Sequence, residues 1–253
     1  MEPYVSFGDF SAFAERLKKD FLFVLTVGTT DTSLLPGITV AGARPELTHY
    51  TPAADAEYLL LGRCRSTSEI PMTPDGKPTP GLLTRAALKL AGAGALVVDA
   101  GSRVKPQVPR VDLHGSPGAD IRKGRALEVK ALRQVVSDAI LLGENLGKSI
   151  PALVIGESIP AGTTTAMAFL LAMGYNAWEK MSSSSPVNPR ELKAEVVRQA
   201  LQAARALGTQ LDPLEAASRV GDPVIPVIGA LAVGATRAGS FVVLAGGTQM
   251  AAV

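Results

Sequence analysis

Short, continuous apolar segments alternate with longer amphipathic segments along most of this chain. Apolar runs of strand length cover residues 21–27, 95–99, 152–155 and 241–244. Runs without alternation are typical of parallel strands that are covered on both faces. Helical periodicity between them predicts helices over 9–19, 82–90, 126–146, 163–173, 190–207 and 223–237.

Local helix-start signals support this division. Asn188-Pro189-Arg190-Glu191 and Asp212-Pro213-Leu214-Glu215 both have the cap residue, proline and acid that typically open a helix. Strands that alternate with helices predict an α/β fold with a doubly wound, mostly parallel, Rossmann-like sheet and helices on both faces. We expect one domain over 1–253, with helix 9–19 belonging either to it or to a small helical subdomain.

Composition narrows the function classes. The 253 residues, 47% of them hydrophobic, are enough for one large core. Lys and Arg number 25 against 23 Asp and Glu, with no basic block, which argues against nucleic acid as a partner. The longest membrane-like stretch, 223–236, is shorter than the roughly 20 residues that a spanning helix needs, so a buried helix and no membrane partner are expected. No signal peptide is visible and Cys64 has no second cysteine to pair with, which predicts a cytoplasmic protein.

The strongest candidate site is a predicted turn from Gly156 to Gly162, which joins a strand to a helix that opens on Thr163, Thr164 and Thr165. Backbone N–H groups and hydroxyls at such a helix start bind anions. An ordinary connection with threonine capping fits the same residues. Glu157, just past the strand, is a candidate for a catalytic base or a ribose contact, or else a solvated loop residue. The segment is neither a P-loop nor a Gly-x-Gly-x-x-Gly fingerprint.

Two further segments carry polar groups of the same kind. Ser183 and Ser184 precede the helix that contains Lys193, whose ammonium group could reach a phosphate, although a flexible surface loop also explains the serines. Gly246, Gly247 and Thr248 follow the last strand and repeat the strand-end pattern more weakly.

Metal and cofactor chemistry has little support in the sequence. The two histidines, His49 and His114, are far apart, and Cys64 is interpreted as a buried, unreactive thiol. No metal site and no cofactor are therefore predicted. The remaining candidate acids show no ligand-type spacing: Asp31, Asp55, Asp99, Asp112 and Asp120.

Taken together, these segments resemble a known family. Glu157 to Ala166 is similar to the signature loop of the nicotinate-nucleotide–dimethylbenzimidazole phosphoribosyltransferases, and the helix that starts near Lys193 resembles that family's phosphate-contacting helix. Residues 223–253 look like its late helix–strand–helix unit. The N-terminal half resembles the family more loosely and looks like a separate prokaryotic branch of the superfamily.

The resemblance implies transfer of the phosphoribosyl group from nicotinate mononucleotide to a benzimidazole-type base, which gives nicotinate and the α-ribazole phosphate used as the lower ligand of cobalamin. It leaves Glu157 as the only acid in a matched motif and therefore as the candidate catalytic residue. The phosphate and nucleotide would contact Gly156, Gly162, Thr163, Thr164, Thr165, Ser183, Ser184, Lys193, Gly246, Gly247 and Thr248. The implied partners are nicotinate mononucleotide and an aromatic azole base, and the implied assembly is a homodimer.

The sequence also departs from the family. The usual base is a glutamate in a glycine-rich segment near the C-terminus, but no glutamate follows Glu215. This leaves two hypotheses: an enzyme in which Glu157 supports at most residual activity, or a non-catalytic nucleotide-binding or regulatory protein on the same scaffold. An α/β enzyme acting on another phosphosugar is a third. Because the last predicted helix is short and the expected base is missing, we expect the chain to be a fragment that lacks a C-terminal part.

Overall fold

The computed structural model describes residues 14–15, 20–178, 180–183 and 188–253. All but residues 14 and 15 of the predicted helix 9–19 lie outside this range, and so does Ser184. Within these ranges the chain folds into strands, α-helices and short 3₁₀ segments.

Five parallel strands form one sheet in the order β3-β2-β1-β4-β5. This arrangement confirms the predicted α/β class. The four predicted strands are present, and the two-residue strand β3 adds an edge that a polar segment concealed. The strands are β1 (Phe21–Gly28), β2 (Gly94–Gly101), β3 (Val111–Asp112), β4 (Ala152–Ser158) and β5 (Phe241–Leu244).

Helices and short 3₁₀ turns connect the strands. Three 3₁₀ segments cover Asp31–Leu34, Pro45–Tyr50 and Ile121–Lys123. The α-helices are α1 (Thr51–Leu61), α2 (Gly81–Ala91), α3 (Val129–Ser149), α4 (Gly162–Ala172), α5 (Arg190–Ala203), α6 (Pro213–Val220), α7 (Val224–Arg237) and α8 (Thr248–Ala252). None of the helices in the described ranges is long and apolar enough to cross a bilayer.

The helices bury both faces of the sheet. On one face α3 packs against α7, where a Cβ on Gly143 would lie 2.3 Å from the carbonyl oxygen of Leu231, so only glycine permits this approach. The Ala/Gly-rich helix predicted near 223–237 therefore serves the core of the chain. On the other face α1 and α2 cover β1 and β2 around Phe23 and Leu59. Helices α4, α5 and α6 enclose a further apolar cluster.

Two local predictions are corrected. The predicted turn 156–162 is shorter than expected, because β4 continues through Gly156 and Glu157 to Ser158 and keeps its parallel pairing with β1. The predicted capping box at Asn188 does not form: Pro189 takes the cap position of α5, and the Asn188 side chain donates to the carbonyl of Met181 instead. The second box is present, since Asp212 accepts the N–H groups of Leu214 and Glu215.

The order of the sheet explains where a ligand can bind. From β1 the chain builds outward to β2 and β3 on one side and then returns to add β4 and β5 on the other. Helical connections on opposite faces leave a crevice beyond the carboxyl ends of β1 and β4, which is the usual ligand position in such sheets.

Candidate functional site

The end of β4 and the start of α4 form the frame of the site. Glu157 and Ser158 are the last strand residues, and Ile159-Pro160-Ala161 leads directly into α4. Ala161 has φ +63°, a left-handed backbone conformation that residues other than glycine adopt rarely. This sharp turn places the N-terminal end of α4 next to the last strand residues.

A cavity of about 360 Å³ lies against this frame and is called the main cavity because most of the predicted site residues line it. Its other walls are the loop 38–42, which lies between the first two 3₁₀ segments, and the loop 71–80. Seven of the predicted site residues line it: Glu157, Gly162, Thr163, Ser183, Lys193, Gly247 and Thr248. The structure thus brings together residues from three segments that are far apart in sequence.

One end of the main cavity holds a buried cation. Lys193 is only 2% exposed, and its Nζ donates to the Thr163 hydroxyl and to the Ser182 carbonyl, each at 3.1 Å. Burial lowers the pKa of the ammonium group, and none of the described carboxylates forms an ion pair with it. Ser182 Oγ lies 2.9 Å from Thr248 Oγ1, which ties the start of α8 to the same end. An ammonium group has three donors, so one remains for a ligand.

Glu157 provides the acid of the site. Burial raises its pKa to about 7, the nearby charges of Asp222 and Asp55 add to the rise, and the backbone N–H of Ile159 opposes it. The residue is half-buried and borders the cavity. A carboxyl group with this pKa exchanges protons near neutral pH, as a general acid or base must.

Thr164 and Thr165 lie behind the cavity wall. Both are fully buried, and the Thr165 hydroxyl donates to Asp222 Oδ2 at 2.5 Å. Asp222 also accepts the Gln249 side-chain amide at 2.8 Å and caps α7 through the N–H groups of Val224 and Ile225. These contacts hold the start of α4, the start of α7 and α8 together.

The remaining predicted residues, Gly156 and Gly246, line a second cavity of about 420 Å³ on the sheet face that α1 and α2 cover. Asp55 and Glu157 border both cavities. Asp55 accepts the Ser158 hydroxyl at 2.7 Å, and burial raises its pKa to about 6.

Sequence reasoning gave Asp55 no role and did not single out Asp222. Asp55 lies inside a helix, 103 residues before its partner Ser158, and no local pattern marks it. Asp222 had a usable signal, because an aspartate followed by proline is a common helix start. No three His, Cys, Asp or Glu side chains of the described residues are grouped so that they could hold a metal ion.

Comparisons with known proteins agree with this architecture. CobT from Thermus thermophilus has a TM-score of 0.65 at 16% identity, covering 95% of this chain and 67% of that one. The nicotinate-nucleotide-dimethylbenzimidazole phosphoribosyltransferase structure from the same organism has a TM-score of 0.62 at 18% identity, covering 92% of this chain and 62% of the other. At these identities the likeness concerns the fold.

The relatives found by sequence are more similar to this chain than these two solved structures are. A UPF0284 protein of Saccharolobus solfataricus is 52% identical over 243 residues, which is 96% of this chain and 67% of the relative. A UPF0284 protein of Pyrobaculum calidifontis is 54% identical, covering 92% of this chain and 68% of the relative. A relative from Saccharolobus islandicus is covered to 65%, so the chain spans about two thirds of the length of these proteins. The family model DBI_PRT, described as phosphoribosyltransferase, matches residues 84–253, and the chain therefore belongs to this phosphoribosyltransferase family.

Proposed function

We propose that the protein transfers the phosphoribosyl group of nicotinate mononucleotide to an azole base of the benzimidazole type, with release of nicotinate. The observation that carries the proposal is Lys193, a buried ammonium group without a carboxylate partner among the described residues, at one end of a cavity that also contains Glu157. A buried charge is costly unless an opposite charge accompanies it. The dianionic 5′-phosphate of a nucleotide supplies that charge.

We assign the 5′-phosphate to the end of the main cavity at which Lys193 contacts Thr163. Lys193 has a third N–H donor, and the Thr163 hydroxyl at the start of α4 lies beside it. The amino end of a helix carries a partial positive charge, which adds to the attraction. Thr248 and Ser182 complete this end with two more hydroxyls.

We assign the proton transfer of the reaction to Glu157. The glycosidic C–N bond to nicotinate breaks, one ring nitrogen of the azole bonds to the anomeric carbon, and the N–H proton on the other ring nitrogen passes to the Glu157 carboxylate. Nicotinate leaves with the electron pair of the broken bond. Holding donor and acceptor in line in one cavity supplies much of the rate in such a displacement. With a pKa of about 7, an adequate fraction of Glu157 is ionised at neutral pH.

A binding and turnover experiment tests the proposal. Nicotinate mononucleotide is titrated into the chain by calorimetry, and released nicotinate is measured by chromatography with and without dimethylbenzimidazole. Lys193→Met keeps the aliphatic stem and removes the charge, so we expect at least a tenfold weaker binding of the nucleotide. Lys130→Met, on the exposed surface of α3, is the matched control and should bind as the unaltered chain does.

The outcomes separate the two functions that the sequence left open. Acceptor-dependent nicotinate release supports the transferase. Binding that is sensitive to Lys193 but without release favours a nucleotide-binding or regulatory protein on the same scaffold. Absence of binding contradicts both.

A further inference from the structure

Thr26 of β1 has a buried hydroxyl group that no hydrogen bond accounts for. Its side chain is fully buried, and its Oγ1 has no hydrogen-bond partner among the described residues. Most buried polar side chains of folded proteins are hydrogen-bonded, because an unpaired hydroxyl loses its bonds to water without replacement. A threonine at this position of an apolar sheet therefore needs an explanation.

The register of the sheet places Thr26 beside Glu157. The two residues are paired directly between β1 and β4. The pair two residues earlier, Val24 and Ile155, lies in the apolar cluster on the face that α7 covers. Side chains two residues apart along a strand point to the same face, so Thr26 and Glu157 project side by side toward α7. Adjacent strands lie about 4.8 Å apart, a gap that a glutamate side chain can cross.

The other neighbours of Thr26 on this face offer no free acceptor. Its remaining neighbours in the sheet are Val24, Gly28 and Val98. Asp222, at the start of α7, already accepts two backbone N–H groups and two side-chain donors. A carboxylate accepts about four hydrogen bonds, so this one is full. The Glu157 carboxylate is therefore the acceptor that remains for the Thr26 hydroxyl.

We propose that Thr26 is a positioning residue, whose hydroxyl donates a hydrogen bond to the ionised Glu157 carboxylate and holds it where it takes the azole proton. This inference rests on the proposed function. A hydrogen bond to a charged acceptor is about twice as strong as one between neutral groups, so the hydroxyl favours the ionised form. It opposes the burial and the like charges that raise the pKa of Glu157. Once Glu157 holds the proton, the same hydroxyl can turn and accept the new O–H.

The test compares Thr26→Val with Thr26→Ser. Valine has nearly the shape of threonine without the hydroxyl, whereas serine keeps the hydroxyl and loses a methyl group. We expect Thr26→Val to move the midpoint of the pH–rate profile upward by about one pH unit, which lowers nicotinate release about tenfold at about pH 6. Thr26→Ser should stay within about threefold of the unaltered chain at every pH. Thr236→Val, on the exposed surface of α7, is the matched control and should leave the profile unchanged.

Activity and stability should rank the two variants in opposite orders. Serine opens a small cavity and should lower the thermal midpoint more than valine does. If Thr26 only fills space, the less stable Thr26→Ser is the less active variant, whereas a hydroxyl that orients Glu157 makes Thr26→Val the less active one. The charged groups that act on Glu157 are Asp222 and Asp55. Both are kept in the two variants, as is Lys193 on the wall of the same cavity, so a displaced profile reports the hydroxyl.

A titration without turnover distinguishes this inference from the proposed function. With isotope-labelled glutamate carboxyl groups followed by NMR, the signal that is lost in Glu157→Gln identifies Glu157. Its titration midpoint should rise by about one pH unit in Thr26→Val. An unchanged midpoint there, or a Thr26→Ser as impaired as Thr26→Val, overturns the proposal.

If Thr26→Val does not fold, Thr26→Ala against Thr26→Ser gives the same comparison, because only serine keeps the hydroxyl. Absence of nicotinate release with any base counts against the proposed function, while the titration of Glu157 still decides the role of Thr26.

Discussion

Two glutamates of this chain, the fully buried Glu57 and the half-buried Glu157, have opposite chemical characters. Glu57 in α1 is fully buried, yet its pKa lies below the ordinary value: burial acts to raise it, but N–H groups of Gln107, Ser66 and Arg65 outweigh that effect. Their donor–acceptor distances are 2.6 to 2.9 Å. Glu157 receives one opposing backbone hydrogen bond and lies near two other acids, and its pKa rises to about 7.

The difference shows that burial alone does not decide whether the pKa of a carboxyl group rises or falls. Enough donors turn a buried carboxylate into a fixed structural anion, here one that ties the loop after α1 to the loop after β2. Few donors and like charges raise the pKa of a carboxyl group, so that it takes up and releases its proton near neutral pH. Glu57 therefore belongs to the stability of the fold, and Glu157 is assigned to chemistry.

The sharpest way to break this comparison is to neutralise each glutamate and measure turnover. Glu157→Gln should lower kcat for nicotinate release by about 100-fold or more, because general acid–base groups contribute about 10²–10⁴ to rates. Glu57→Gln should stay within a few-fold of the unaltered chain. Single-turnover release measured by chromatography checks both. Equal activity in Glu157→Gln and the unaltered chain would remove Glu157 from the mechanism.

Stability should respond in the reverse order. Glu57→Gln replaces charge-assisted hydrogen bonds with neutral ones and mismatches part of the donor set, so we expect a loss of about 2 to 3 kcal/mol in the free energy of unfolding. Glu157→Gln should leave that free energy unchanged or raise it at neutral pH, because it removes an ionisable group whose charged form the site disfavours. Urea unfolding followed by circular dichroism gives both values. A large loss in Glu157→Gln alone would contradict the assignment.

The pH dependence of stability separates the two residues further. Glu157 has an ordinary pKa of 4.5 and a folded value of about 7, so between these values the folded chain holds more protons and its contribution to stability falls as pH rises. Glu57 has a lowered folded pKa, so its contribution is present above pH 4.5 and is lost as pH falls below it. Unfolding curves from about pH 2 to 8 should lose the first dependence in Glu157→Gln and the second in Glu57→Gln.

The rate of turnover should also depend on the ionisation of Glu157. Because Glu157 must be ionised to take the azole proton, nicotinate release should rise with pH and level off above about pH 7. A flat profile across that value would show that another group takes the proton.

The smallest expected effect concerns the backbone that supports Glu157. In Gly162→Ala the new Cβ would lie 2.5 Å from Gln249 Nε2 and 2.8 Å from Ile159 Cγ2, so we expect a loss of about 1 to 2 kcal/mol. Gly229→Ala in α7 is the control, since nothing lies within 4 Å of its Cβ, and it should stabilise the helix by about 0.5 to 1 kcal/mol. Thermal unfolding of the pair checks the sign of each change.

The elements that the sequence predicted well are those whose signal is local. Continuous apolar runs marked four of the five strands, and the glycines and threonines after them marked the edge of the sheet where the cavities lie. The ends of the elements were predicted less accurately. Strand β4 continues through Gly156 and Glu157, because its pairing with β1 overrides the turn signal there. Strand β3 is only two residues long and lies in a polar segment, so no periodicity revealed it.

Long-range pairing accounts for what the sequence did not reveal. Asp55 reaches Ser158 across 103 residues, and Thr165 reaches Asp222 across 57. Each acid owes its role to a partner that only the fold brings near. Thr163, Thr164 and Thr165 look equivalent in sequence, yet helical geometry turns Thr163 to the cavity and the other two into the core.

The last two residues of β4 have a consequence for how such a protein changes over time. Glu157 and Ser158 are adjacent in sequence but project from opposite faces of the strand, one toward Asp222 and the other toward Asp55. A mutation at position 158 can therefore alter the wall on one face, whereas loss of the Asp55 carboxylate also removes one of the two like charges that raise the pKa of Glu157. The end of β4 therefore has two faces that single substitutions can change to different degrees.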